Sequence, residues 1–213
     1  MSLVISKKNK VIFFHLPKNA GTSVSDLLLR NENYYYCWVI FSKIIKKFTK
    51  KDNFFFDKYQ KKILFLRSHE TVQSIQEKIS PEIFNNYFKF AIVRNPYSRF
   101  VSRYNYTKLT SNIKDLNFSQ FVKDYIKLNL TADHQYKFLL NKDKKIGVNQ
   151  ILKFEHLDKE LEQISNNINI NVSNFGKMNA STFDNYKNYY TDETKKLVEN
   201  YCEEDLKYFN YQF

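Results

Sequence analysis

Glycine and proline are nearly absent, with three of each in 213 residues. No stretch rich in Gly, Ser or Pro divides the chain and no internal repeat is visible, so one domain over residues 1–213 is expected. Cysteine is as scarce. Cys37 and Cys202 stand far apart without metal-ligand spacing, which argues against a disulfide framework and fits a reducing compartment. No apolar run approaches the roughly 20 residues of a membrane span, and the N-terminus has no secretory apolar region, so a soluble chain is expected. Acidic residues are outnumbered, 22 Asp and Glu against 34 Lys and Arg, for a net charge of +12. That excess favours a polyanionic partner: nucleic acid, an anionic membrane, an acidic glycan or a phosphorylated cofactor. Charge alone does not choose among them, and an ordinary solvated basic surface has the same composition.

What the chain has in abundance is aromatic residues, 16 Tyr and 20 Phe, within a 43% hydrophobic composition that excludes a disordered polymer. The apolar run at residues 10–16 suits a central parallel strand, followed by a helix from "SVSDLLLR" with Thr22 or Ser23 as its cap. Residues 31–60 have no clean period. Further strands are expected at 62–67, at 90–93 and within "VNQILKFEHL". Helices are expected from Pro81 and Pro96, each proline at a first helical position, and over "NFSQFVKDYIKLNL", "DKELEQISNNI" and residues 191–208. Strands alternating with helices imply an α/β layered fold around a mostly parallel sheet.

The most informative stretch is "VIFFHLPKNAGTSVSDLLL", residues 11–29. A buried strand runs into a turn and a helix start, where backbone N–H groups of Asn19 to Ser23 and the helix N-terminus can surround an anion. Lys18 adds positive charge; Thr22 and Ser23 add hydroxyls. In an ATP-binding loop the lysine directly follows a glycine; here Gly21 is followed by Thr22 and position 16 is leucine, so that reading is weak. An ordinary strand-to-helix turn with an exposed lysine is the plain alternative.

"FFHLPKNAGTSV" resembles the 5′-phosphosulfate loop of the carbohydrate sulfotransferases that include the heparan 2-O-sulfotransferases (sulfotransferase family 2), where His-x-Pro-Lys-x-x-x-Thr-Ser recurs. "VRNPYSRFVS" supplies Arg94 and, eight residues later, Ser102, similar to that family's 3′-phosphate signature. "DHQYKFL", "ILKFEHLDKEL" and the segment from "MNASTFDNY" to the last helix resemble later family segments more loosely, so the resemblance covers about residue 10 to the end, apart from a poorly matched insert near 31–60. It implies a three-layer, P-loop-NTPase-like sulfotransferase fold. It also implies 3′-phosphoadenosine 5′-phosphosulfate (PAPS) as co-substrate without a metal, and a carbohydrate acceptor of acidic or lipid-linked type rather than nucleic acid.

Under that resemblance, Lys18 would stabilise charge on the leaving phosphate while Asn19, Ala20, Gly21, Thr22 and Ser23 hold the 5′-phosphosulfate. Arg94 and Ser102 would grip the 3′-phosphate, with Ser98, one turn earlier, as an additional candidate. Lys177, Asn179 and Ser181 would close over the nucleotide. The acceptor hydroxyl needs a base; His69 is the first candidate and Glu70 its immediate competitor. His15 reads as orienting the loop, His134 and His156 as packing or structural groups, and Arg99 and Arg103 as solvated charge. Cysteine usage and composition place such an enzyme in a bacterial cytoplasm, with peripheral contact at a membrane compatible with its charge. A basic nucleic-acid-binding module and a nucleotide-binding relative without turnover remain the alternatives.

Overall fold

Strand β2, Val11–Phe14, is buried on both faces, which is why its sequence is continuously apolar instead of alternating. In the computed structural model, which describes residues 3–30, 54–57, 62–65, 69–111, 115–172, 175 and 185–213, β2 sits inside a four-stranded sheet. The other members are β1 (Leu3–Ser6), β5 (Phe88–Val93) and β6 (Gln150–Lys153). Spatial order is β1-β2-β5-β6. β2, β5 and β6 run parallel, with Phe13 opposite Phe90 and Ala91 opposite Ile151, and β1 is an antiparallel edge. A separate antiparallel pair joins β3 (Phe54–Asp57) to β4 (Lys62–Phe65).

Among the described residues nine α-helices complete the fold: α1 Gly21–Arg30, α2 Val72–Lys78, α3 Pro81–Asn86, α4 Pro96–Thr110, α5 Phe118–Lys127, α6 Gln135–Phe138, α7 Leu157–Ile168, α8 Asp192–Tyr201 and α9 Glu203–Phe209. The period-2 alternation of the strands divides the core into two layers. Phe13, Phe90, Ile92 and Leu152 pack against Val24 and Leu28 of α1 and Leu161, Ile164 and Ile168 of α7. Ile12, Phe14, Ala91 and Val93 face α2, α3, Phe138 and Phe209. A third, aromatic cluster joins α4, α5 and α8 through Tyr97, Phe100, Tyr104, Phe118 and Phe121. The α/β fold expected from the alternating elements is the observed one.

Local chemistry explains most helix starts. Asn95 caps α4 by accepting from the Tyr97 N–H, with Pro96 at the first position; Ser80 caps α3 ahead of Pro81; Asn117 caps α5. Three expectations need correction, and one strand was not expected. The strand expected at 62–67 is described only as Lys62–Phe65 and belongs to the separate pair, outside the main sheet. Helix α1 begins at Gly21, so Thr22 and Ser23 lie in its first turn instead of capping it. The single helix expected over 191–208 is two, broken at Cys202, whose N–H still bonds the Val198 carbonyl. Strand β1, only four residues long, gave no periodicity to read in the sequence.

Candidate functional site

The chain leaves β2 at its carboxyl end and turns through residues 15–20 into α1. Two residues of this turn, Lys18 (φ 67°) and Ala20 (φ 57°), adopt left-handed backbone. Such conformations cost of order 1 kcal/mol or more each and persist only where surroundings impose them. Here the surroundings are polar ties from other elements. The Asn19 amide donates to the Ile92 carbonyl (2.7 Å) and to Gln135 Oε1 (2.8 Å). Arg99 Nε donates to the Pro17 carbonyl (3.0 Å) and Arg94 Nη1 to the Lys18 carbonyl (3.2 Å).

Gly21 serves a different need. It has no positive φ, but a Cβ there would meet the His15 ring 1.8 Å away. The glycine is a seat for an imidazole. His15 in turn anchors His69: its carbonyl lies 3.2 Å from His69 Nδ1, and the two rings meet edge to face at 5.4 Å. A carbonyl can only accept, so Nδ1 of His69 carries the proton and Nε2 of the neutral ring holds the lone pair. Burial lowers the His69 pKa from its ordinary value, against a rise from that hydrogen bond. His69 itself has left-handed backbone, φ 61°.

Arg94 ends β5. Its Nε donates to Ser98 Oγ (2.6 Å), and its guanidinium lies 4.1 Å over the Phe154 ring. Burial depresses its pKa to about 10, partly countered by the Glu155 carboxylate; Glu155 also accepts from the Asn95 N–H and the Tyr211 hydroxyl. Ser102 follows one turn beyond Ser98 on α4. Lys18 reaches across to the same helix, its Nζ 4.2 Å from the centre of the Tyr106 ring. Burial, then the charges of Arg103 and Arg94, pull the Lys18 pKa down to about 8.

These groups face one cleft of about 460 Å³, lined by Lys18, Ala20, Gly21, Thr22 and Ser23 of the turn, Arg94, Ser102, Arg103 and Tyr106 of the second junction, and His15, Pro17, His69 and Phe154. Of the described residues singled out as candidates for the nucleotide or the base, Asn19, Glu70 and Ser98 do not line it, Ser98 being the acceptor for Arg94 Nε. Asn19 is buried and turned toward Gln135. Glu70 is buried and bound to Lys78 (2.5 Å) and the Ser74 hydroxyl. Lys177, Asn179 and Ser181 lie outside the described residues. His69 reaches the cleft through its bond to His15, and not from an edge of the main sheet as its preceding strand had implied. His134 packs on Tyr201 (4.7 Å).

Arg99 is not solvated charge. It is buried and donates to three carbonyls, those of Pro17, Ala132 and Asp133. Arg103 is half-buried and 3.6 Å from the Asp133 carboxylate. Sequence reasoning missed the roles of Gln135 and Tyr106. Gln135 is fully buried and ties both junctions together: Oε1 accepts from Asn19 and from the Arg94 N–H (2.9 Å), and Nε2 donates to the Arg94 carbonyl (2.8 Å). The one signal was its place in "DHQYKFL".

The cleft combines positive charge, hydroxyls and a helix N-terminus, a set suited to an anionic ligand with two charged ends. Among the described residues no group of three or more His, Cys, Asp or Glu is arranged to hold a metal ion, and no helix is long and apolar enough to cross a membrane. An uncharacterized protein of Archaeoglobus fulgidus is 29% identical over 116 residues, 53% of this chain and 93% of that protein. No solved structure matches the chain. The sulfotransferase family model matches residues 1–212, the whole span from β1 through the cleft-forming junctions to the terminal helices, and the chain belongs to the sulfotransferase family.

Proposed function

We propose that this sulfotransferase uses PAPS as donor and transfers its sulfuryl group to a hydroxyl of a carbohydrate acceptor. What carries the reading is the meeting of two distant chain segments at one cleft: the Lys18 turn after β2 and the Arg94–Ser102 junction after β5, bonded to each other at 3.2 Å. A nucleotide phosphorylated at both ends of its ribose needs such a two-ended grip. Backbone N–H groups at the start of α1, with Thr22 and Ser23, take the 5′-phosphosulfate; Arg94 and Ser102 take the 3′-phosphate.

The acceptor oxygen attacks sulfur in line with the bond to the 5′-phosphate. That S–O bond breaks, its electron pair stays on the phosphate, and the acceptor proton passes to His69 Nε2. His69 suits this task because its tautomer is set by the His15 carbonyl and burial keeps the ring neutral near pH 7. Lys18, aimed at the leaving phosphate, offsets the charge developing there. Glu70 takes second place as base, since its carboxylate is engaged by Lys78 and Ser74.

The test is calorimetric titration of adenosine 3′,5′-bisphosphate into the wild type, Lys18→Ala and Arg94→Ala, with folding verified by circular dichroism. Each substitution removes a charged partner of a phosphate and is expected to weaken binding about tenfold or more. Wild-type affinity in both variants would dismiss the two-ended site. With binding established, loss of sulfuryl transfer in His69→Ala but not in Glu70→Ala distinguishes the two bases.

A further inference from the structure

The turn that presents Lys18 is fixed from both sides. Arg99 holds the Pro17 carbonyl, Arg94 holds the Lys18 carbonyl, and Asn19 is bonded into the core. This pins the backbone and leaves four rotatable side-chain bonds free. The electrostatics around the ammonium are unfavourable, because Arg94 and Arg103 line the same cleft and Asp and Glu are absent from its described lining. Asp133 pairs with Arg99 and Arg103, and Glu155 lies by Arg94. Among the described residues no carboxylate is within ion-pair distance of Lys18. Its contact is the π face of Tyr106, 4.2 Å away. An aromatic face attracts a cation through the ring quadrupole without neutralising its charge, so the ammonium remains available to an anion.

We propose that Tyr106 is a positioning residue for Lys18, its ring holding the ammonium over the cleft in the orientation that meets the 5′-phosphate of the nucleotide. This rests on the donor reading above. Tyr106 occupies α4 one turn beyond Ser102 and is 50% exposed, so its aromatic ring is not needed to fill the core. The same helix therefore contributes Ser102 to one end of the nucleotide and the seat of Lys18 to the other. A ring at this point also explains how three cations converge on one cleft without driving the lysine out into solvent.

The experiment compares wild type, Lys18→Ala, Tyr106→Phe and Tyr106→Ala in two measurements. First, lysines are reductively methylated with ¹³C-formaldehyde, which preserves their charge. The Lys18 dimethylammonium resonance, assigned by its loss in Lys18→Ala, is expected upfield from the ring current in wild type and Tyr106→Phe. In Tyr106→Ala it should return to the position of exposed lysines. Second, adenosine 3′,5′-bisphosphate is titrated calorimetrically. Tyr106→Ala should weaken binding about threefold to thirtyfold, with an unchanged thermal midpoint, while Tyr106→Phe restores wild-type affinity. An unshifted Lys18 resonance in wild type overturns the proposal, as does wild-type affinity in Tyr106→Ala beside a clear loss in Lys18→Ala. A loss in Tyr106→Phe equal to that in Tyr106→Ala also overturns it, because the hydroxyl and not the ring would then matter. Wild-type affinity in Lys18→Ala strikes the donor reading itself, and Tyr106's role with it.

Discussion

Lys18 is the residue whose chemistry depends most on its neighbours. Burial first, then Arg103 and Arg94, lower its pKa to about 8, so the free protein loses this charge within an accessible pH range. Arg94, lowered to about 10, keeps its charge throughout that range. The protonated lysine is the form that binds a phosphate. Affinity for adenosine 3′,5′-bisphosphate should therefore be level from about pH 7 to 7.5 and fall as pH rises through about 8, by at most roughly tenfold per unit. Titrations between pH 7 and 9 measure this. Lys18→Ala is expected to give a flat profile there, and an equally flat wild-type profile would remove Lys18 from the phosphate site. Lys18, Arg94 and Ser102 were legible in the sequence because their spacing is local and sits at strand-to-helix junctions. Gly21 was legible as the glycine of the turn, but no reason for it could be read there: its space is taken by His15, a contact visible only once the strand and turn are folded.

At the scale of elements, the cleft is held together by pairings that spacing does not encode. Helix α6, only four residues long, has no side-chain cap at His134; its first two N–H groups, of Gln135 and Tyr136, donate instead to the Asp205 carboxylate at 2.9 and 2.8 Å. That cap comes from α9, far along the chain, and it places Gln135 where it joins Asn19 to Arg94. The caps at Ser80, Asn95 and Asn117 were readable because capping residue and helix adjoin in sequence; Asp205 was not, and neither was Arg99, whose helical spacing from Arg103 looks like a surface face until three carbonyls are found around it. Asp205→Ala leaves two N–H groups at a buried helix start without their acceptor, a cost of about 1–3 kcal/mol for each group that water cannot reach. Denaturant unfolding should show a lower midpoint. Bisphosphate affinity should also fall, although Asp205 does not line the cleft, because the loosened Gln135 no longer fixes Asn19 and Arg94. Unchanged affinity in a destabilised Asp205→Ala would mean that Gln135 holds the two junctions without help from α9.

For the molecule as a whole, the net charge of +12 fits a nucleic-acid binder as well as an enzyme for anionic donors, and the distribution of aromatic rings separates the two. Binding of single strands needs exposed rings along a basic groove. Here Tyr97, Phe100, Tyr104, Phe118 and Phe121 are buried together in the cluster of α4, α5 and α8. The large aromatics exposed among the described residues are Tyr106 and Tyr208, on α4 and α9, and Tyr106 faces the cleft beneath Lys18. The charge should accordingly yield only weak, salt-sensitive binding to oligonucleotides, whereas a small bisphosphate should act on the folded state specifically. At a ligand concentration one hundred times its Kd, binding stabilises the native protein by about 2.7 kcal/mol. With roughly 2–4 °C per kcal/mol for a chain of this size, the midpoint should rise by about 5–10 °C with adenosine 3′,5′-bisphosphate. ATP with magnesium should shift it much less, since ATP lacks the 3′-phosphate proposed above as the partner of Arg94 and Ser102. The measurement is thermal unfolding at 50 and 300 mM salt with bisphosphate, ATP and an unrelated oligonucleotide. A larger rise with the oligonucleotide than with bisphosphate, persisting at the higher salt, would move the functional surface from the cleft to the basic exterior and favour the nucleic-acid reading.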